Sequence, residues 1–152
     1  MKLSSRGDYA VRALLEIALA PPDQPTSLAT VANRTGIPFK YLEQIFKLLR
    51  AAQVVRARRG KLGGYTLARP ADQLTVGEVI RVLEGPLAPT LCASRTQHAP
   101  CPAYLCPSES DCVLRGMWVD VRDAISSVVD RTTFADLAQR QRDHLPAARY
   151  QI

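Results

Sequence analysis

No run of the sequence comes near the roughly 20 consecutive apolar residues that a membrane span needs, so a membrane-embedded reading is set aside. Histidine is scarce: the chain has only His98 and His144, and both read as surface residues. Neither stands where it could complete a nucleophile–base triad or a paired acid–base site. A phosphate-cradling loop is missing too, because Gly63-Gly64 leads into a strand pattern and not into a helix. These gaps argue against an enzyme. Internal repeats and low-complexity segments are also lacking. The nearest approach to a secretory leader is Lys2 followed by Val11 to Ala20. Asp8, Arg12 and Glu16 interrupt that run at helical spacing and leave no uncharged core. The expected compartment is the cytoplasm, where cysteines stay reduced.

Acid is what one particular stretch lacks. From Arg34 to Lys61 the cations are Arg34, Lys40, Lys47, Arg50, Arg56, Arg58, Arg59 and Lys61, against the single acid Glu43. That block carries +7 in a chain whose net charge is +6, so everything outside it sums to −1. A solvated basic face explains many short charge runs. It explains less well why one block holds the whole imbalance, and a polyanionic partner is the better reading. A small electron carrier would need no such block.

What is present supports a mainly α fold with a small β-hairpin, within 152 residues that are 47% apolar. Residues 5 to 20 read as an amphipathic helix through Val11, Leu14, Leu15, Ala18 and Leu19, stopped by Pro21, Pro22 and Pro25. Thr26 or Ser27 caps a second helix to about Thr35, with Leu28, Val31 and Ala32 inward. Gly36 turns the chain, and a third helix runs from about Pro38 to Ala52. Two short helices joined at a glycine, the second one basic, form a helix-turn-helix with its recognition helix. Val54 to Arg58, a glycine-rich turn and Tyr65 to Leu67 then read as a hairpin, which in this position is a wing. Thr75 and Glu78 form a capping box for a helix through Glu84, ended by Gly85-Pro86.

A proline-rich loop from Pro86 to Pro107 follows. Ser110 or Asp111 is expected to cap a long helix whose apolar residues are Leu114, Trp118, Val121, Ile125 and Val128. Their steps of four and three make a heptad seam about two heptads long. The seam is either a core stripe or a dimerisation helix, since a single helix-turn-helix usually binds DNA as a two-fold dimer. A last short helix starts near Thr133. The expected division is 1–85 winged helix-turn-helix, 86–112 cysteine loop and 112–145 dimerisation and C-terminal helices.

Candidate DNA-binding residues are Lys40, Tyr41, Glu43, Gln44 and Lys47, near the start of the third helix, with Arg58, Arg59 and Lys61 on the wing. Gln44 suits adenine and Glu43 suits cytosine N4. A carboxylate amid cations repels phosphate, so its place here favours choosing among bases. The plainer reading of Glu43 is a pair with Lys47 one turn on, worth about 0.3 kcal/mol.

Cys92, Cys101, Cys106 and Cys112 are spaced C-x8-C-x4-C-x5-C. A structural zinc site usually shows a tighter pair, and a disulfide is out of place in a reducing compartment. Loose spacing across an irregular loop suits an iron–sulfur cluster, with 4Fe–4S favoured slightly over 2Fe–2S. Zinc and a metal-free thiol redox switch are the alternatives.

Met1-Lys2-Leu3, Gly7-Asp8-Tyr9-Ala10, Tyr41-Leu42-Glu43-Gln44-Ile45-Phe46, Arg59-Gly60, Gly63-Gly64-Tyr65 and Val76-Gly77-Glu78-Val79-Ile80 together resemble the Rrf-two family of bacterial regulators, with its IscR, NsrR and RirA branches. The cysteine loop leading to Trp118 completes the likeness, which spans nearly the whole chain. The resemblance implies a homodimeric winged helix-turn-helix repressor on near-palindromic double-stranded DNA. It implies redox, nitric oxide or iron sensing through a cluster on three cysteines and one further ligand. Cys92, Cys106 and Cys112 match the three cysteines, and Glu43, Gln44 and Arg59 match the operator-reading positions. Two departures stand out. The loop before Cys106 is long and contains the extra Cys101, and Arg115 replaces the ligand histidine of the IscR branch. The fourth ligand is therefore expected to be Cys101 or, as in the NsrR branch, Asp8 of the partner subunit, with His98 an outside candidate. For Asp8 the plainer reading is an acid favoured at a helix start.

Overall fold

Ser4 starts the first helix by taking the backbone N–H groups of Arg6 and Gly7 on its hydroxyl. The computed structural model describes residues 3–60, 62–102, 105–106 and 108–144. Helix α1 (Ser5–Leu19) buries Gly7, Ala10, Ala13, Leu14 and Ile17 along one face. It ends where Pro21 forces the preceding residue out of the helical region: Ala20 is extended at φ −75°, ψ 158°.

Helix α2 (Leu28–Thr35) is capped by Ser27, which accepts the N–H of Thr30. It closes on Gly36 at φ 72°, a left-handed conformation that glycine adopts without a steric penalty. Pro38 has no N–H to satisfy and leads into α3 (Phe39–Ala51). Leu42, Ile45, Phe46 and Leu49 of α3 are buried, one i, i+3, i+4, i+7 stripe. The helix-turn-helix is present with the expected bounds to within a residue or two.

Strands β1 (Val55–Arg58) and β2 (Gly64–Leu67) pair antiparallel, with Val55 opposite Leu67 and Arg58 opposite Gly64. Two backbone hydrogen bonds of 2.9 Å between Thr26 and Tyr65 pin this wing to the segment before α2. Gly64 allows that approach, since a Cβ there would lie 2.5 Å from the Thr26 carbonyl oxygen. The Tyr65 ring meets Phe46 edge-on at 4.8 Å, which ties the wing to the buried side of α3.

Helix α4 (Val76–Glu84) is capped by Thr75, which accepts the Glu78 N–H at 3.2 Å. The return half of the expected capping box is not made, because the Glu78 carboxylate pairs with Arg69. Helix α6 (Phe134–His144) is fixed by a full reciprocal box between Thr133 and Asp136. It packs against α1, and Phe134 is wholly buried in the same core as Leu14, Phe46 and Val79.

Between α4 and α6 runs α5 (Val113–Val129), none of whose residues is buried in the chain. A core stripe is therefore the wrong reading of its heptad pattern, since Leu114 and Val128 are each 61% exposed. Its N-cap is Cys112, not Ser110 or Asp111. The Ser110 hydroxyl is engaged by Ser108 and Asp111 within the preceding turn, so the helix starts later than the usual capping residues suggest. Among the described residues, no helix is long and apolar enough to cross a membrane.

Candidate DNA interface and cysteine site

The buried stripe of α3 fixes which side chains remain outside. Lys40, Glu43, Gln44 and Lys47 are all exposed, and so are Arg58 and Arg59 at the end of β1 and the turn beyond. Among the described residues none of these makes an ion pair, and Glu43 is not paired with Lys47. Tyr41 differs from the rest. It is half-buried, and its ring stands at 87° to Tyr9 of α1 with centroids 5.6 Å apart. Lys61 lies outside the described residues.

The cysteine site is built by a 3₁₀ turn, Leu91–Ala93, held against α5. Arg115 Nε donates to the Cys92 carbonyl oxygen at 3.0 Å, and Arg122 donates to the Ala93 carbonyl oxygen at 2.5 Å. Seven residues separate these arginines, two turns of helix, so both face the same way. Cys92 is buried, and Thr90 lies within hydrogen-bond distance of its sulfur at 3.4 Å. Cys101, Cys106 and Cys112 are half-buried, and all four thiols are free.

The thiols lie close enough to perturb one another. Hydrogen bonding with Cys92 pushes the Cys101 thiol up. Hydrogen bonding with Cys112, then burial, pushes Cys106 up to about 11. Cys112 moves the other way, drawn down by the Arg115 backbone N–H and then by Cys106. No capping hydrogen bond closes on Cys112, but its sulfur faces free amides of the first turn, where negative charge is favoured. Beside the thiols, Glu109 Oε2 lies 3.0 Å from His98 Nε2 and 3.6 Å from Arg115 Nε.

Asp8 is not among the groups acting on these three thiols. Its carboxylate accepts from Arg12 Nε at 2.8 Å, one turn along α1. Among the described residues no group of three or more Cys, His, Asp and Glu side chains is gathered tightly enough to hold a metal ion. The donor set is nevertheless of the right kind for iron: four free thiols, with Cys101 beside Cys92 and Cys106 beside Cys112 at the start of α5. Arg115 and Arg122 are the participants that composition and spacing did not reveal. Their separation of one heptad was the available signal.

Basic recognition helix, pinned wing and thiol turn meet in one chain, and comparison with known proteins agrees. The family model described as "Rrf2: Iron-dependent Transcriptional regulator" matches residues 3–140. The chain belongs to the Rrf2 family. It is similar to the HTH-type transcriptional regulator CymR of Bacillus subtilis, 36% identical over 91% of this chain and 90% of that protein. The structure of that protein, titled the global cysteine regulator, covers 92% of this chain and 98% of its own, with a TM-score of 0.73. The IscR regulator of Yersinia pseudotuberculosis is 36% identical over 93% of this chain and 81% of its own. The solved IscR of T. potens is 31% identical, with a TM-score of 0.73 over 99% of this chain and 97% of that one. This Rrf2 protein is thus a DNA-binding transcription regulator of a non-enzymatic family.

Proposed function

We propose that this Rrf2 protein is a homodimeric repressor of near-palindromic operators, and that its cysteine site governs DNA binding through an iron–sulfur cluster. Residues 1–85 read DNA with Lys40, Tyr41, Glu43, Gln44, Lys47, Arg58, Arg59 and Lys61. Residues 86–112 hold the cluster, and α5 pairs the protomers, with α6 returning to α1. Cys92, Cys106 and Cys112 would hold the cluster, with Cys101 or the partner subunit's Asp8 as fourth ligand. Once bound, it would supply an anionic core, 4Fe–4S ahead of 2Fe–2S, that responds to oxidants, nitric oxide or iron supply.

One observation carries this reading: Arg115 and Arg122 hold the carbonyl oxygens of Cys92 and Ala93 to α5. Any displacement of the cysteine turn is therefore passed to the helix that sets the spacing of the two recognition helices. Half-sites lie about one DNA turn, roughly 34 Å, apart, so a small change in spacing shifts the population of binding-competent dimers.

Anaerobic purification followed by an absorption spectrum and iron and sulfide analysis tests the cofactor. A coloured protein with matched iron and sulfide is expected; colourless, iron-free protein from cells competent to load clusters would sink it. Cys101→Ala and Asp8→Ala spectra then assign the fourth ligand, and an unchanged spectrum in both defeats both assignments. If loaded and cluster-free protein bind one selected duplex equally at matched salt, the switch fails.

A second reading is supported by the split between neighbouring thiols. Cys112 is drawn down while Cys106 is pushed up to about 11, which sets a thiolate beside a proton-bearing partner. A peroxide would take two electrons from this pair. The Cys112 thiolate attacks a peroxide oxygen, the O–O bond breaks and water leaves with a solvent proton. The Cys106 sulfur then displaces the second oxygen, which leaves as water with the Cys106 proton, to give the disulfide. The CymR relative, titled a cysteine regulator, fits this reading. In reduced, metal-free protein at neutral pH, iodoacetamide is expected to label Cys112 well before Cys106 by peptide mass spectrometry. The reverse order would refute the split.

A further inference from the structure

Two arginines of the basic block, Arg50 and Arg56, have no part in the proposed DNA reading, and the structure gathers them. Behind the wing, where α3 ends and α4 begins, lies a cavity of about 650 Å³. Arg50 from the last turn of α3, Arg56 from β1 and Arg69 beyond β2 line it, with Glu78 of α4 as its one acid. Glu78 pairs with an outer nitrogen of Arg69. The Arg69 Nε remains buried without any hydrogen-bond partner. Among the described residues Arg50 and Arg56 make no ion pair, so the cavity keeps an excess of two positive charges.

An orphaned guanidinium N–H withdrawn from water is costly, and an acceptor that drew the Arg69 side chain toward the cavity would relieve it. The fork of a guanidinium matches the oxygens of a carboxylate or phosphate. Apolar surface from Val55, Ala57 and Ala68 also lines the cavity, whose volume is that of a small-molecule site and not of a single ion. Gln53 stands on its rim with φ 57°, a strained conformation for a residue with a side chain, and brings an amide to the same place.

We propose that this cavity is an effector site for a small organic oxyanion, a carboxylate or phosphate on a short carbon frame. Its walls are the end of the recognition helix, the first wing strand and the start of α4. An occupant would therefore fix the wing relative to α3. That regulatory consequence rests on the DNA reading given above; the binding itself does not.

The test uses the full chain without DNA. 3-Phosphoglycerate, citrate and inorganic phosphate are titrated at constant ionic strength against chloride, and the Arg Nε–H and Gln amide resonances are followed by ¹H–¹⁵N NMR. Saturable shifts at Arg69 and Gln53, larger for the organic anions than for phosphate, are expected. Arg69→Gln and, on the exposed strand, Arg56→Gln should each weaken binding at least about tenfold, as loss of a charged hydrogen bond predicts. Arg140→Ala, on α6 and outside the cavity lining, should leave it unchanged. Far-UV circular dichroism checks that the variants fold, and Arg56→Gln stands alone if Arg69→Gln does not. Shifts no larger than those from chloride, or equal shifts at Lys40 and Lys47, overturn the proposal. A separate arm adds a non-cognate duplex. Displacement of the anion by it, with Arg56→Gln lowering the salt slope of duplex binding by about 1, would assign the cavity to a DNA backbone phosphate and overturn the effector reading.

Discussion

Only a hydrogen atom separates the α4 backbone from α5 at Gly77. A Cβ built there would fall 2.0 Å from Asp130 Oδ1 and 2.9 Å from Val129 Cγ2. Gly77→Ala must push the end of α5 outward or break the Arg81–Asp130 pair. The expected cost is about 1–3 kcal/mol, read as a lower midpoint in urea unfolding. On the proposed DNA reading, other single residues are expected to act on DNA rather than on folding. Glu43 is exposed and unpaired among the described residues, so Glu43→Ala should relax base preference while leaving stability within about 0.5 kcal/mol. Arg59→Ala should weaken all duplexes alike and lower the salt slope by about 1. Binding measured over a library of operator variants separates the two, and uniform loss with Glu43→Ala would count against its role in base choice.

Between elements, the bidentate contact of Arg81 with Asp130 joins α4 to the end of α5 at 2.6 and 2.7 Å. Arg81 holds the Asp130 carboxyl below its ordinary value of 3.8. The pair therefore contributes stability in full above that value. The contribution is lost as pH falls from there through the folded-state value. Both side chains are more than a third exposed, so screening limits the pair to about 1 kcal/mol or less. Asp130→Asn should be less stable than wild type by this increment above the ordinary carboxyl range, and urea midpoints of the two should converge in acid. A wild-type difference that persists unchanged through acid would show that the contact is not electrostatic. Caps at this scale were readable in advance where Ser27 and Thr75 precede apolar runs. Cys112 was not, because Ser110 and Asp111 are stronger capping types and only the turn that engages Ser110 removes them.

For the whole molecule the decisive feature is that no residue of α5 is buried in its own chain, although the cysteine turn and the start of α4 touch it. Leu114, Met117 and Val128 are 61%, 43% and 61% exposed. Trp118, Val121 and Ile125 between them are only half-buried, and the exposed apolar surface of this helix carries a hydration cost that a second copy would remove. Leu114→Asp combined with Val128→Asp should give monomers by sedimentation and lower operator affinity by more than about tenfold, since a lone recognition helix loses its second half-site. Dimers that survive the double substitution would place the subunit contact elsewhere.

The order of local segments followed from the sequence by itself: helices from apolar period and caps, the turn at Gly36, the hairpin from its glycines, and a basic recognition helix. Each depends on forces acting within a few residues. Folding decided the rest. It exposed the α5 stripe, turned Tyr41 toward Tyr9, set Arg115 on a carbonyl 23 residues away and gathered Arg50, Arg56 and Arg69 around one cavity. Those outcomes are contacts between distant segments, and local propensity carries no record of which partner a side chain will meet.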